Sequence, residues 1–232
     1  MKAAIIPARG RSKRIPRKNI RPFAGKPIVA YSIQAARDAE IFDRVIVSTD
    51  DPEIAKIARD WGAEAPFVRP AELSGDIVGT NAVLKHAIRW LQDAGEDVQY
   101  ACCLYATAPF VDANHLREAF SRLERTDKSF VFSVTAYGFP IQRAVRINAS
   151  GAVEAFDERH FLSRSQDLEP YYHDAAQFYW GKAQAFLDDV VMFSPASLAF
   201  VLPRFLVQDI DTEEDWERAE LMYRAYLRRR ES

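Results

Sequence analysis

Short runs of β-branched and small apolar residues alternate with segments of helical periodicity, and this alternation constrains the fold more than any other feature of the chain. Residues 3–6 (Ala-Ala-Ile-Ile), 44–48 (Arg-Val-Ile-Val-Ser), 100–105 (Tyr-Ala-Cys-Cys-Leu-Tyr) and 129–135 (Ser-Phe-Val-Phe-Ser-Val-Thr) read as buried strands. Segments 28–36, 53–61, 80–91 and 112–123 lie around them and read as helices. Pro27 is expected at the first helical position of 28–36, and Thr49-Asp50-Asp51-Pro52 reads as a helix start. Further strands are expected near 65–68 and over 198–202 and 207–210. A closing helix over 212–229 has an acidic first turn and a basic end, as its dipole favours. Strands alternating with helices of this length imply right-handed βαβ units, hence an α/β fold with a doubly wound, mainly parallel sheet.

The rhythm breaks over about 137–177. Short β-like pieces at 144–147 and 153–156 flank the turn Asn148-Ala149-Ser150-Gly151, and aromatics are frequent. The segment reads as a hairpin arm inserted in the sheet and reaching a second copy of the chain, which makes a homodimer the expected assembly.

Composition sets outer limits. With 232 residues, 48% hydrophobic and 28% charged, the chain suits one globular domain spanning 1–232. No apolar run approaches the ~20 residues of a membrane span. The opening apolar stretch, residues 3–7, is too short for a signal-peptide core, so a cytoplasmic location is expected. Cys102 and Cys103 sit side by side in an apolar run, as buried reduced thiols would. The net charge is only −2, but its distribution is uneven. Arg9, Arg11, Lys13, Arg14, Arg17, Lys18 and Arg21 crowd one segment, while Asp209, Asp211, Glu213, Glu214 and Asp215 crowd another. Such a pairing suits a site holding both a polyanion and a metal. A sequence pI near 6.1 argues against a nucleic-acid partner.

The basic segment follows the first strand directly, where open α/β sheets bind ligands. Gly10 permits close backbone approach, Ser12 offers a hydroxyl, and the cations neutralise charge developing on a triphosphate. The spacing matches neither GxxxxGK[ST] nor GxGxxG. Pro7-Ala8-Arg9-Gly10-x-Ser12-Lys13-x-Ile15-Pro16-x-Lys18-Asn19-Ile20 does resemble the signature of the sugar-acid cytidylyltransferases, the CMP-sialic acid synthetase family. The likeness runs on through Val45-Ile46-Val47-Ser48-Thr49-Asp50-Asp51 to Asp209-Ile210-Asp211. It implies a Rossmann-like nucleotidyltransferase that uses CTP and Mg²⁺ and acts on an acidic nine-carbon sugar. By the same resemblance, Arg9, Ser12, Lys13 and Lys18 contact phosphates, with Arg9, Lys13 and Lys18 stabilising the departing pyrophosphate, and Asn19 lies near the nucleotide. Arg11 departs from the family, which commonly has a small residue there.

Asp209 and Asp211 are two apart on an expected strand and should share a face. Two adjacent carboxylates call for a cation, and Mg²⁺ takes one or two carboxylates with water and phosphate oxygens completing its shell. Asp211 equally suits a helix cap before Thr212. The resemblance makes both residues metal ligands. Thr80 is a candidate for the cytidine and also for helix capping. The run Tyr171-Tyr172-His173-Asp174-Ala175-Ala176-Gln177-Phe178-Tyr179-Trp180 mixes polar groups into an aromatic cluster, and burying them unpartnered is costly. Alternation places Gln177 and Tyr179 on one side, read as a wall of the sugar pocket together with His173 and Asp174. Tyr105 should face the crevice, and Arg164 is a candidate for the sugar carboxylate or an exposed loop arginine. Tyr-Ala-Thr-Ala-Pro at 105–109 and the His-Asp-Ala-x-Gln-Phe-Tyr-Trp run resemble the pseudaminic acid branch of the family. In that branch the x, here Ala176, is usually Gly. Activity on sialic acid or 3-deoxy-manno-octulosonate, and a non-catalytic nucleotide-binding regulator, are the competing expectations.

Overall fold

The structure is a computed structural model, and it describes residues 1–75 and 77–231. In chain order the elements are β1 (Lys2–Pro7), the antiparallel pair β2 (Pro22–Phe23) and β3 (Lys26–Pro27), α1 (Val29–Asp38), β4 (Arg44–Ser48), α2 (Pro52–Asp60) and α3 (Thr80–Asp93). They continue with β5 (Tyr100–Leu104), α4 (Ala113–Glu124), β6 (Phe130–Ala136), β7 (Val145–Ile147), β8 (Val153–Ala155), β9 (Tyr172–Lys182), α5 (Ala183–Leu187), β10 (Ser197–Val201) and α6 (Glu213–Glu231). Six strands form one sheet in the order β10-β6-β9-β5-β1-β4. β1 is parallel to β4 and β5, and β10 is parallel to β6.

Alternating side chains of these strands feed two separate cores. Ala4, Ile6, Val47, Cys102, Leu104, Phe178 and Trp180 pack with Ile33 of α1, Ile54 of α2 and Leu116 of α4. Ala3, Ile5, Ile46, Ala101, Cys103 and Tyr179 pack with Leu84, Ile88 and Leu91 of α3 and Phe186 of α5. The result is a three-layer α/β/α sandwich, because runs that are apolar at every position bury both faces of a sheet. Cys102 and Cys103 belong to opposite cores, and both are free thiols. Cys103 is pushed far above the usual thiol range by burial. A third cluster joins Phe23 and Ile28 to Trp216 and Ala219, docking α6 beside the β2–β3 pair.

β9 is the element that sequence periodicity did not delimit. It runs antiparallel to both β5 and β6 in the middle of the sheet, so the sheet is mixed, though mostly parallel. Its regular alternation is interrupted. Tyr179 lies opposite Phe132 while Asp174 lies opposite Val134, leaving Ser133 facing the surplus residues of a bulge. Ala176 sits in this bulge at φ +50°, the left-handed region that favours glycine.

Three local expectations are corrected. Residues 207–210 are not a strand. The segment leaves the sheet after the edge strand β10, and side chains take carbonyls that a ladder would have used: Gln177 Nε2 donates to Leu206 O at 2.5 Å and Lys18 Nζ to Ile210 O at 2.6 Å. Around 65–68 only isolated bridges form, Ile46 with Glu64 and Thr49 with Val68. Pro27 pairs in β3, and Ile28 is the N-cap of α1. The inserted arm contains the expected hairpin. β7 and β8 pair antiparallel, and Asn148 Oδ1 accepts from the backbone N–H groups of Ser150 and Ala152, each at 3.0 Å.

Candidate active site

The carboxyl ends of β1 and β5 open onto a cleft of about 600 Å³. Its walls carry Arg9, Arg11, Ser12, Lys13, Arg14, Lys18 and Asn19 from the segment after β1. Thr80 at the start of α3, Tyr105 and Thr107 beyond β5, Arg69 and Asp211 complete the polar lining.

The basic segment is strapped to the loop after β4. Gly10 N–H donates to Asp50 Oδ1 at 2.8 Å. A Cβ at position 10 would lie 2.7 Å from Asp51 Oδ2, so glycine is required there by the neighbouring carboxylate. Asp51 also caps α2, accepting from Glu53 and Ile54 N–H at 2.9 and 3.0 Å. Arg17, itself at φ +56°, bonds Asp51 and Glu53. That guanidinium holds the Asp51 carboxyl below the usual carboxylate value, with the two cap N–H groups adding to it. Asn19 Nδ2 donates to Arg9 O at 2.8 Å, fixing the loop where Arg9 enters the cleft.

Arg14 and Lys18 both engage Asp211, at 2.8 and 3.4 Å. Asp209 is not among the lining residues, but it stands close enough to feel its neighbour. Its carboxyl is raised above the usual value, first by desolvation and then by the Asp211 charge. The Lys18 charge offsets this only in part. Among the described residues, no three His, Cys, Asp or Glu side chains converge as a ready-made metal site. Two carboxylates with no His or Cys fit a hard cation that takes its remaining oxygens from water and a bound phosphate.

Arg69 escaped the reading of the sequence. It is only 4% exposed yet lines the cleft, with Nε on Ser74 Oγ at 3.2 Å and Nη2 3.6 Å from Asp50 Oδ1. Nη2 has no hydrogen-bond partner, and burial pulls the guanidinium below its usual value. Asp50 is its nearest countercharge, so the Arg69 guanidinium brings a buried positive charge to the wall of the cleft. The only sequence signal was an arginine directly before Pro70 in a stretch read as a strand end.

The family model described as Cytidylyltransferase matches residues 3–219. The chain belongs to the cytidylyltransferase family. It is 48% identical over 220 residues, 95% of each chain, to the pseudaminic acid cytidylyltransferases of two Campylobacter jejuni subsp. jejuni strains, serotypes O:23/36 and O:2. It is 32% identical to the N-acylneuraminate cytidylyltransferase of Escherichia coli O18:K1:H7, over 93% of this chain and 50% of that one. Among solved structures, a CMP:2-keto-3-deoxy-manno-octonic acid synthetase complexed with CTP matches with a TM-score of 0.69 at 15% identity, covering 97% of this chain and 99% of that one. That likeness concerns the fold. This cytidylyltransferase has no helix, among the described residues, long and apolar enough to cross a membrane.

The remaining candidates lie elsewhere. Gln177 and Tyr179 do not wall the cleft, because the β9 bulge turns them into the molecule. Gln177 is buried on Leu206 O, and Tyr179 is 5% exposed with its hydroxyl donating to Asp174 Oδ2 at 2.6 Å. Asp174 is likewise absent from the lining. His173 packs edge-on against Tyr137, its Nδ1 2.8 Å from Asp174 O. Arg164 is an exposed residue of the arm, paired with Asp167 at 2.7 Å.

Proposed function

We propose that this cytidylyltransferase transfers CMP from CTP to the anomeric hydroxyl of pseudaminic acid, releasing pyrophosphate. The observation that carries the chemistry is the convergence of Arg9, Lys13, Arg14, Lys18 and Arg69 on one cleft around a single lining carboxylate, Asp211. The choice of sugar rests on the 48% identity, which spans 95% of both chains. Tyr105 adds an aromatic surface where the family's sialic acid members typically carry Gln.

The sugar hydroxyl attacks the α-phosphorus, one P–O bond forms, and the bond to pyrophosphate breaks. Arg9, Lys13 and Lys18 neutralise charge accumulating on the leaving pyrophosphate, with Ser12 as a further donor. Asn19 keeps the loop in register through Arg9 O, and Arg69 and Thr80 offer donors to the cytidine side. Asp209 and Asp211 would hold Mg²⁺ against the phosphates, and when bound it would neutralise phosphate charge and lower the pKa of the attacking hydroxyl. Lys18, which bonds both Ile210 O and Asp211, then positions the carboxylate segment against the phosphate loop.

The arm supports a homodimer in which Arg164 and His173 approach the partner's sugar site. Free Cys102 and Cys103 are in keeping with a reducing, cytoplasmic compartment. The test is pyrophosphate release with CTP across a panel of acidic sugars. Pseudaminic acid should exceed N-acetylneuraminic acid in kcat/KM by about a hundredfold, the worth of two unpaired hydroxyls on the wrong substrate. Equal efficiency on both sugars would refute the choice of sugar and leave the reaction class standing.

A further inference from the structure

Seven basic residues stand between positions 9 and 21, and the structure sets one of them apart. Arg14 and Lys18 are held by Asp211, Arg17 by Asp51 and Glu53, and Arg21 by Glu213 at 2.7 Å. Arg9 Nη1 donates to Gly75 O at 3.4 Å, and Lys13 is engaged as well. The Arg11 side chain alone of the seven, among the described residues, has neither an ion pair nor a hydrogen bond, and it is exposed. Its backbone is nevertheless anchored on the N-terminal side, by Gly10 N–H on Asp50 and by Asn19 on Arg9 O, each at 2.8 Å.

Arg11 lines the cleft and also an adjoining recess of about 480 Å³, which shares Ser12 and Lys13 with the cleft and adds Gly10, Pro16 and Arg17. Among the described residues no carboxylate lines the recess, and Arg69, Thr80 and Val83 line the cleft only. The recess thus opens from the phosphate side of the site, away from the donors assigned to cytidine. A cation already on a carboxylate gains from a ligand only the difference between two partners. An unpaired guanidinium gives up water alone and offers a planar fork matched to phosphate. Left beside six other cations, it also suffers a repulsion that an arriving anion relieves. We propose that Arg11 is a substrate-binding residue that holds the terminal two phosphates of CTP where the cleft meets the recess. This rests on the reading of the cleft as the CTP site.

Arg11→Gln removes the charge and keeps a polar side chain. Isothermal titration calorimetry in Mg²⁺ buffer compares three probes: CTP, inorganic pyrophosphate, and CMP, which lacks the terminal phosphates. The Kd for CTP and for pyrophosphate should each rise by about tenfold, the loss of one charge-assisted phosphate contact. The Kd for CMP should change by less than about twofold. Arg11→Lys keeps the charge without the fork and should fall between the variant and the unmodified chain. CTP binding by Arg11→Gln should also weaken less steeply as salt is added. An unchanged Kd for CTP or for pyrophosphate, or an equal rise for CMP and CTP, overturns the proposal. If the unmodified chain binds no CTP, the reading of the cleft fails separately, and pyrophosphate then decides. A higher pyrophosphate Kd in Arg11→Gln upholds the terminal-phosphate contact, whereas an unchanged Kd, or no pyrophosphate binding by the unmodified chain, overturns it.

Discussion

The cleft and the arm handle exposed chemistry in opposite ways. Around the cleft, one copy of the chain pairs most of its polar groups internally: Asp50 and Asp51 strap Gly10 and Arg17, Asn19 holds Arg9 O, and Lys18 ties Ile210 and Asp211 to the phosphate loop. The arm instead leaves apolar surface uncovered. Phe139 is 88% exposed, Leu162 94% and Ile147 74%, and in their hairpin β7 and β8 pair only with each other. Large exposed apolar side chains of this kind suit an interaction surface. The difference teaches that the basic and acidic groups of the cleft meet within one copy, whereas the arm leaves large apolar side chains uncovered.

The largest effects should come from the cleft. Asp209→Asn or Asp211→Ala should lower turnover by a factor on the order of a hundred or more, with circular dichroism and Tm close to those of the unmodified chain. EDTA should abolish activity in the unmodified enzyme, and added Mg²⁺ should restore it. Full turnover of either variant in metal-depleted buffer would break the metal assignment.

The arm is tested by removal. β6 and β9 are antiparallel neighbours closed by Ala136 opposite Tyr172 and by Tyr137 N–H on Tyr171 O at 3.1 Å. Residues 138–170 can therefore be replaced by an Asn-Gly turn without stretching the sheet. Light scattering should show half the mass of the intact protein, and the KM for the sugar should rise by about tenfold or more, while nucleotide affinity falls much less. A dimer with normal sugar affinity would erase the contrast between the two regions.

The strap of the cleft carries a smaller, pH-dependent effect. Asn caps helices as well as Asp, so Asp51→Asn isolates the charge that Arg17 meets. At neutral pH it should cost about 1–3 kcal/mol, read from denaturant midpoints. The Asp51 carboxyl is held below its ordinary value of 3.8, so its contribution is fully present above that value. It is lost as pH falls through the lower, folded value. The gap between protein and variant should thus be constant near neutrality and narrow below pH ~4. The smallest effect belongs to β9. Ala176→Gly relieves a left-handed alanine and should raise stability by about 1 kcal/mol. An unchanged midpoint would remove the strain from the account.

Much of this was legible beforehand, and the reasons differ by region. The strands and helices around the basic loop were readable because burial on both faces demands runs that are apolar at every position, and the Asp51-Pro52 helix start acts within one turn. The arm's hairpin was readable because Asn148 and Gly151 fix a turn by their own backbone chemistry. Residues 207–210 misled, because Val-Gln-Asp-Ile carries strand character whether or not an edge is available to pair with. Ala176 concealed the β9 bulge, since alanine gives no warning of a positive φ where the related branch carries Gly.

The sequence by itself determined the α/β class, the cationic loop after the first strand and the family. Each is written in short-range patterns, whether periodicity, capping or a contiguous motif. Only the tertiary structure decided that Arg69 enters the cleft while Tyr179 and Asp174 turn away from it. Only the fold, too, made Gly10 a necessity of the Asp51 carboxylate. Those outcomes depend on which distant side chains arrive within hydrogen-bonding distance, and on one extra stretch of chain in β9 that inverts the faces beyond it. Alternation along a strand predicts facing only while the ladder stays in register, and register is settled by the neighbouring strands.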